Sequence, residues 1–293
     1  MDAPTEHMAL GSNGSSSNLH PHNDSHIEED YHPNLVQRMK DVCQNIYFMT
    51  EIVFCILVGV LGHDAPSHIF GMTIYEREIP YQKTANGDVI LDSYINRDYV
   101  DQETIPDWQL IVYCVLLPFV IVLLYSAFLG QRNDLHASAC AYLFASGCTG
   151  FITNSVKLYV GYWRPNFYNY CGYNENDLAC EAETANALID SRKSFPSGHA
   201  SASFCGMTFL SLFFMGKIGL YRGLAIIESA QLNESTSAFL FKKRIQTMLA
   251  AIPILYAIYV ASTRVHDDMH HPADIVAGSV IGMICSSFSY GLW

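Results

Sequence analysis

A chain of 293 residues with a net charge of −12 argues against nucleic acid as a partner. Half of its residues are hydrophobic and only 15% are charged, which is low for a soluble protein of this size. The apolar residues gather into six runs, about 42–62, 108–130, 136–156, 199–216, 245–262 and 273–293. Each approaches the roughly 20 residues that a helix needs to cross a bilayer, so the expected fold is all-α, a polytopic membrane protein with six transmembrane helices.

Residues 1–33 are rich in Ser, Asn, His and Gly and carry almost nothing apolar, so a disordered tail is expected there, ahead of a membrane domain over 34–293. His20, His22 and His26 read as part of that polar tail and not as a metal site. No basic stretch followed by an apolar core precedes residue 40, so no cleaved leader is expected and the first span serves as an anchor. From Asn34, Leu35, Met39, Val42 and Ile46 recur at helical spacing and predict an interfacial helix. Glu51 lies inside the first run. An acid at that depth invites a functional reading, but no motif in the chain calls for it and a structural role is expected.

The 45 residues of the polar loop 63–107 make it too long for a simple connector, so it is a candidate cover for the site. Asn86-Gly87-Asp88 lies between two β-prone stretches and predicts a small hairpin. Further on, 217–244 holds five Lys and Arg in 28 residues, against three in 63–107. The positive-inside bias then puts 217–244 in the cytosol. Cys55, Cys114, Cys140, Cys148, Cys205 and Cys285 fall in apolar runs and read as small hydrophobes. Cys171 and Cys180 share one polar loop, where a disulfide is open if that side is luminal or extracellular.

Three pieces of sequence carry chemistry. The first is Lys157-x6-Arg164-Pro165, whose two cations project from one side if the third helix extends beyond the bilayer, with Pro165 ending it. The second is Pro196-Ser197-Gly198-His199, in which Ser197 is a natural N-cap and the helix start offers free amides and partial positive charge to an anion. The third is Thr263-Arg264-x5-His270-x3-Asp274, where Pro272 suits a first helical turn and Asp274 comes within reach of His270 Nδ1. The loops bearing these pieces are separated by two spans, so all three emerge on one membrane face. Three cations, two histidines and one carboxylate suffice to bind a phosphate, attack phosphorus and protonate a leaving group. His266, Asp267, Asp268 and His271 form a rival metal-ligating set, but their spacing fits no closed template and the nearby cations disfavour an ion. No metal and no cofactor are therefore expected.

These three motifs resemble the signatures of the type 2 phosphatidic acid phosphatases, the lipid phosphate phosphatases, with Thr263 standing where that family has serine. The resemblance covers roughly residues 35–293, without the 63–107 loop. It implies a six-helix bundle of the lipid phosphate phosphatase and vanadium haloperoxidase type. It also implies a Mg²⁺-independent membrane phosphatase of the endoplasmic reticulum or plasma membrane, with cytosolic termini and a luminal or extracellular site. By the same resemblance His270 is the nucleophile that becomes a phosphohistidine, and Asp274 holds it. His199 protonates the leaving alkoxide and then activates water. Lys157, Arg164 and Arg264 bind phosphate oxygens, with Ser197 and the Gly198 amide assisting. Substrates would be phosphatidic acid, lysophosphatidic acid, diacylglycerol pyrophosphate or sphingosine 1-phosphate. Soluble haloperoxidases and glucose-6-phosphatase share the motifs but differ in span number. A lipid phosphotransferase, a silent scaffold or channel, and a homo-oligomer are the readings left beside the hydrolase.

Overall fold

The computed structural model describes residues 36–37, 40, 45–131, 133–182, 184–219 and 234–293. The expected tail, its histidines and most of the expected interfacial helix lie outside the described residues. Among those described, six helices are long and apolar enough to cross a membrane: α1 Ile46–Ile69, α2 Asp107–Phe128, α3 Asp134–Val160, α6 Gly198–Lys217, α7 Ser237–His266 and α8 Pro272–Leu292. Two short helices, α4 Phe167–Tyr170 and α5 Ala185–Asp190, sit in the connection between α3 and α6. The chain is thus mostly helical and polytopic, an integral membrane protein.

Local chemistry sets the ends of these helices. Asn45 caps α1 by accepting from the Tyr47 amide at 3.0 Å. α3 ends because Gly161 takes the left-handed conformation (φ 56°) and its N–H closes on Lys157 O. A side chain at Gly161 would also collide with Tyr75 O. This corrects one expectation. The helix stops five residues short of Pro165, so Lys157 is a helical residue and Arg164 is not, and the two cations do not share a helix face. In α7 the helix breaks at Ala251, just before Pro253, whose ring removes a backbone donor. That break joins two segments into a span of 30 residues, far longer than the 245–262 run.

α6 is the hub. It packs on α8, α7, α3 and α2, while α1 packs on α3. One core cluster joins Leu110 and Cys114 of α2 to Phe204 and Met207 of α6 and Val260 of α7. A second joins Val122 of α2, Tyr142 of α3, and Phe209 and Phe213 of α6. Close approach depends on small residues: a Cβ at Gly206 would meet Cys114 O, and one at Gly282 of α8 would meet Ser201 O.

Outside the spans, β1 Tyr81–Lys83 and β2 Val89–Leu91 form an antiparallel hairpin, as Asn86-Gly87-Asp88 predicts, with Gly87 at φ 92° in the turn. β3 Tyr173–Asn174 pairs with β4 Ala179–Cys180, and Cys171 and Cys180 are joined by a disulfide. Ile95, Phe167, Tyr168 and Cys171 form a small core that ties the 63–107 loop to the connection after α3. The Tyr168 hydroxyl donates to Pro80 O at the same seam.

Candidate active site

Six of the eight predicted site residues, Lys157, Arg164, Gly198, His199, Arg264 and His270, line one cavity of about 600 Å³. The last turn of α3, the first turns of α6 and α8 and the end of α7 meet there, so the three sequence pieces do converge on one end of the bundle. Ser197 and Asp274 stand behind the cavity wall, both fully buried.

Ser197 caps α6, its Oγ accepting from the Ala200 amide at 3.4 Å. At Gly198 an added Cβ would come within 3.7 Å of Lys157 Cε and 4.0 Å of Nζ, so the helix start and the ammonium face one space. Lys157 Nζ donates to Lys193 O at 2.9 Å. Arg164 is carried in from the loop: Nε donates to Asp190 O at 2.8 Å and Nη1 to Met269 O at 3.4 Å. Burial pulls the Arg164 guanidinium below its ordinary value, while Tyr170 and Asp190 act in the opposite sense.

Arg264 is held differently. It is 1% exposed, with Nη1 on Glu103 Oε2 at 2.8 Å and Nη2 on Asp267 Oδ2 at 2.5 Å. Asp267 in turn accepts from Thr104 Oγ1 at 2.6 Å and from the Thr104 amide at 2.9 Å. Two carboxylates therefore fix the plane of this guanidinium, and one comes from the 63–107 loop. Thr263 supplies the hydroxyl expected of a serine, accepting from Arg264 Nε at 3.4 Å.

His270 Nδ1 lies 3.6 Å from Asp274 Oδ2, in ion-pair range and slightly beyond hydrogen-bond length. The same Oδ2 accepts from Ser194 Oγ at 2.5 Å and from the His271 amide at 2.9 Å, which starts α8 with a capping box. Burial holds the His270 imidazole well below its ordinary value; Asp274 opposes this, and the Arg164 and Lys157 cations add to it. The ring is thus neutral at neutral pH, with Nδ1 directed at the carboxylate and Nε2 left with its lone pair.

His199 Nε2 lies 3.0 Å from Ile105 O and 3.7 Å from Asp107 Oδ1. Of the rival metal-ligating set, Asp267 is committed to Arg264 and Thr104. His271 Nε2 meets Trp163 O at 3.3 Å, and its ring stacks on Tyr94 at 4.2 Å. Residues that the motifs did not announce are Ser194, Glu103, Thr104, Ile105 and Asp107. Ser194 is two residues before Pro196 and was within sight. The other four come from a loop whose contact with the site depends on tertiary structure alone.

The six-helix membrane bundle thus gathers two histidines, three cations and a carboxylate around one cavity at a helix N-terminus, an arrangement suited to an anion. The chain belongs to the PAP2 superfamily, whose family model matches residues 138–293. It is 35% identical over 219 residues to Lipid phosphate phosphatase 1 of Arabidopsis thaliana, covering 72% of this chain and 60% of that protein. It is 30% identical to Lipid phosphate phosphatase 2 of the same plant, covering 72% and 68%. With Diacylglycerol pyrophosphate phosphatase 1 of Saccharomyces cerevisiae it shares 28% identity over 69% of this chain and 68% of the other. The chain spans about three fifths of the length of the first curated relatives it matches. No solved structure matches it.

Proposed function

We propose that this chain is a metal-independent membrane phosphatase that hydrolyses the phosphate monoester of lipid phosphates through a phosphohistidine on His270. The substrate class comprises phosphatidic acid, cleaved to diacylglycerol, and its relatives lysophosphatidic acid, diacylglycerol pyrophosphate and sphingosine 1-phosphate. The observation that carries the reading is one cavity holding His270, His199 and three cations at the end of a membrane bundle. Similarity to proteins named lipid phosphate phosphatase supports it.

In the first step His270 Nε2 forms a bond to phosphorus as the bond to the lipid oxygen breaks, and His199 gives that oxygen its proton. In the second, water attacks the phosphohistidine, its proton passes to His199, and inorganic phosphate leaves with His270 restored. A protonated His199 carries hydrogen on both nitrogens, so one can remain on Ile105 O while the other faces the leaving group. Lys157, Arg164 and Arg264 stabilise the charge on the transferring phosphoryl oxygens, so position and electrostatics carry the rate. Asp274 acts from behind by orienting His270.

The cavity continues from the cations between α2, α3 and α6, past Leu110, Val115 and Tyr142. That shape suits a headgroup whose tails stay in the bilayer. The Cys171–Cys180 disulfide lies on the side of the site and supports a luminal or extracellular orientation, in the endoplasmic reticulum or plasma membrane, with cytosolic termini.

The test is phosphate release from phosphatidic acid in mixed micelles, in magnesium-free buffer, by wild type and His270→Ala. Wild type should turn over, and the variant should lose on the order of 10⁶-fold, as removal of a nucleophile does. Substantial release by a folded His270→Ala protein would move the nucleophile elsewhere. A folded wild type inert toward all four lipids would overturn the reading.

A further inference from the structure

Three residues that the phosphatase reading does not use converge at the other end of the bundle. Glu51 comes from α1, and His136 and Cys140 come from the start of α3. His136 Nε2 lies 3.6 Å from Glu51 Oε2 and 3.5 Å from Cys140 Sγ, and the three donor atoms all fall within 4.8 Å of one another. His136 and Cys140 are buried, at 5% and 0% exposure. Their spacing of four puts both on one face of α3, opposite α1. Among the described residues this is where His, Cys, Asp and Glu side chains gather closely enough to hold an ion.

The donor set is chemically specific. An imidazole, a thiol and a carboxylate suit zinc(II), whereas the hard ions magnesium and calcium take oxygen donors. Tetrahedral zinc, with bonds of about 2.0 Å to N and O and 2.3 Å to S, sets N and S about 3.6 Å apart and N and O about 3.3 Å apart. The two separations at His136 already match these within a few tenths of an ångström. Only the partly exposed Glu51 carboxylate must swing to close the third edge.

A supporting shell is in place. Trp293 Nε1 donates to Glu51 Oε1 at 2.5 Å and leaves Oε2 toward His136. The Phe48 ring stacks on the His136 imidazole at 4.5 Å. Without an ion, the cluster is crowded: Phe48 O at 3.0 Å, Cys140 Sγ and Glu51 Oε2 all surround one ring nitrogen, which carries at most one proton.

We propose that Glu51, His136 and Cys140 form a zinc(II) site that fastens α1 to α3, remote from the phosphate cavity. On binding, the Cys140 thiol releases its proton to solvent, the His136 proton moves from Nε2, where it is given to Phe48 O, to Nδ1, and three bonds to zinc form as that hydrogen bond breaks. Cys55, buried and one helical turn after Glu51 on α1, interacts with Cys140 and is a further thiol beside the cluster.

Full-length protein in detergent, loaded with zinc and passed through gel filtration, should retain about one zinc per chain. Cys114→Ser should retain the same amount, and His136→Ala and Cys140→Ser close to none. Because either variant could fold poorly, a second measurement uses wild type alone. Cobalt(II) added to the metal-free protein should give a thiolate-to-cobalt charge-transfer band that zinc abolishes. Retention of no zinc by wild type, retention unchanged in both variants, or the absence of that band overturns the proposal.

Discussion

α6 and α1 are both membrane spans, yet they solve opposite problems. α6 has 72% of its most apolar window buried and α1 only 11%, although α1 is the more apolar of the two. In a bilayer the lipid-facing helix carries the large apolar side chains, such as Val53, Phe54, Leu57 and Val60 on α1. The interior helix carries Gly, Ser, Ala and Thr, which permit close packing, and one of its hydroxyls reaches α3, Thr153 Oγ1 donating to Ser201 Oγ at 3.0 Å. His199 sits at the start of this interior helix, buried and facing the cavity. In a membrane protein, high apolarity marks the periphery, and the weaker spans mark the centre.

The sharpest way to break this comparison is a methyl group. Gly206→Ala places a carbon against Cys114 O, whereas Gly59→Ala on α1 meets Leu143 O at 3.2 Å, which slight movement relieves. We expect the α6 variant to lose on the order of 4 kcal/mol or more, and the α1 variant to lose little, by thermal unfolding in detergent. Equal losses would refute the hub role of α6.

Next in size is the catalytic end. Asp274→Asn keeps the shape but removes the charge that orients His270, and should lower kcat by on the order of 10² to 10⁴-fold with a folded protein. Ser194→Ala should act in the same direction and more weakly, since the carboxylate keeps its His271 amide bond. An unimpaired Asp274→Asn would remove Asp274 from the mechanism.

The pH profile refines this. Burial depresses the His270 value and Asp274 raises it. His270 is neutral at pH 6.5, stays neutral as pH falls, and gains its proton only below its depressed value. The acid limb of kcat/KM should therefore lie below 6.5 and move further toward acid in Asp274→Asn. The same substrate ionisation enters both profiles, so a shift toward alkaline pH would contradict the assigned cause.

The two clamps on Arg264 should differ, and the Glu103 change has the smallest effect of all. Asp267 is 3% exposed, and Asp267→Ala leaves a buried guanidinium half-unpaired, a loss of roughly 3–5 kcal/mol. Glu103 is 29% exposed, and Glu103→Gln should change stability by about 1 kcal/mol or less. It should also tighten inhibition by inorganic phosphate up to about fivefold, the equivalent of that energy. Weaker inhibition would mean that Glu103 positions Arg264 instead of competing for it.

Much of this molecule was legible in its sequence. Six apolar runs announce six spans, and the three motifs announce residues that share one cavity, because both depend on residue type and local spacing. What was hidden depended on distant contacts. The pairing of Glu103 and Thr104 with the α7 end has no local signature, and neither does the approach of Glu51 to His136. The misplaced end of α3 was a different failure. Gly161 was visible as a helix stop, but Pro165 is the louder signal and drew the boundary too far along the chain.

The Asp274 carboxylate also has a meaning beyond this reaction. One oxygen receives the Ser194 hydroxyl and the amide that begins α8, and it faces the ring that would carry phosphate. Selection for an intact helix and selection for turnover fall on the same atom. A library screened only for folded protein should still recover aspartate at this position.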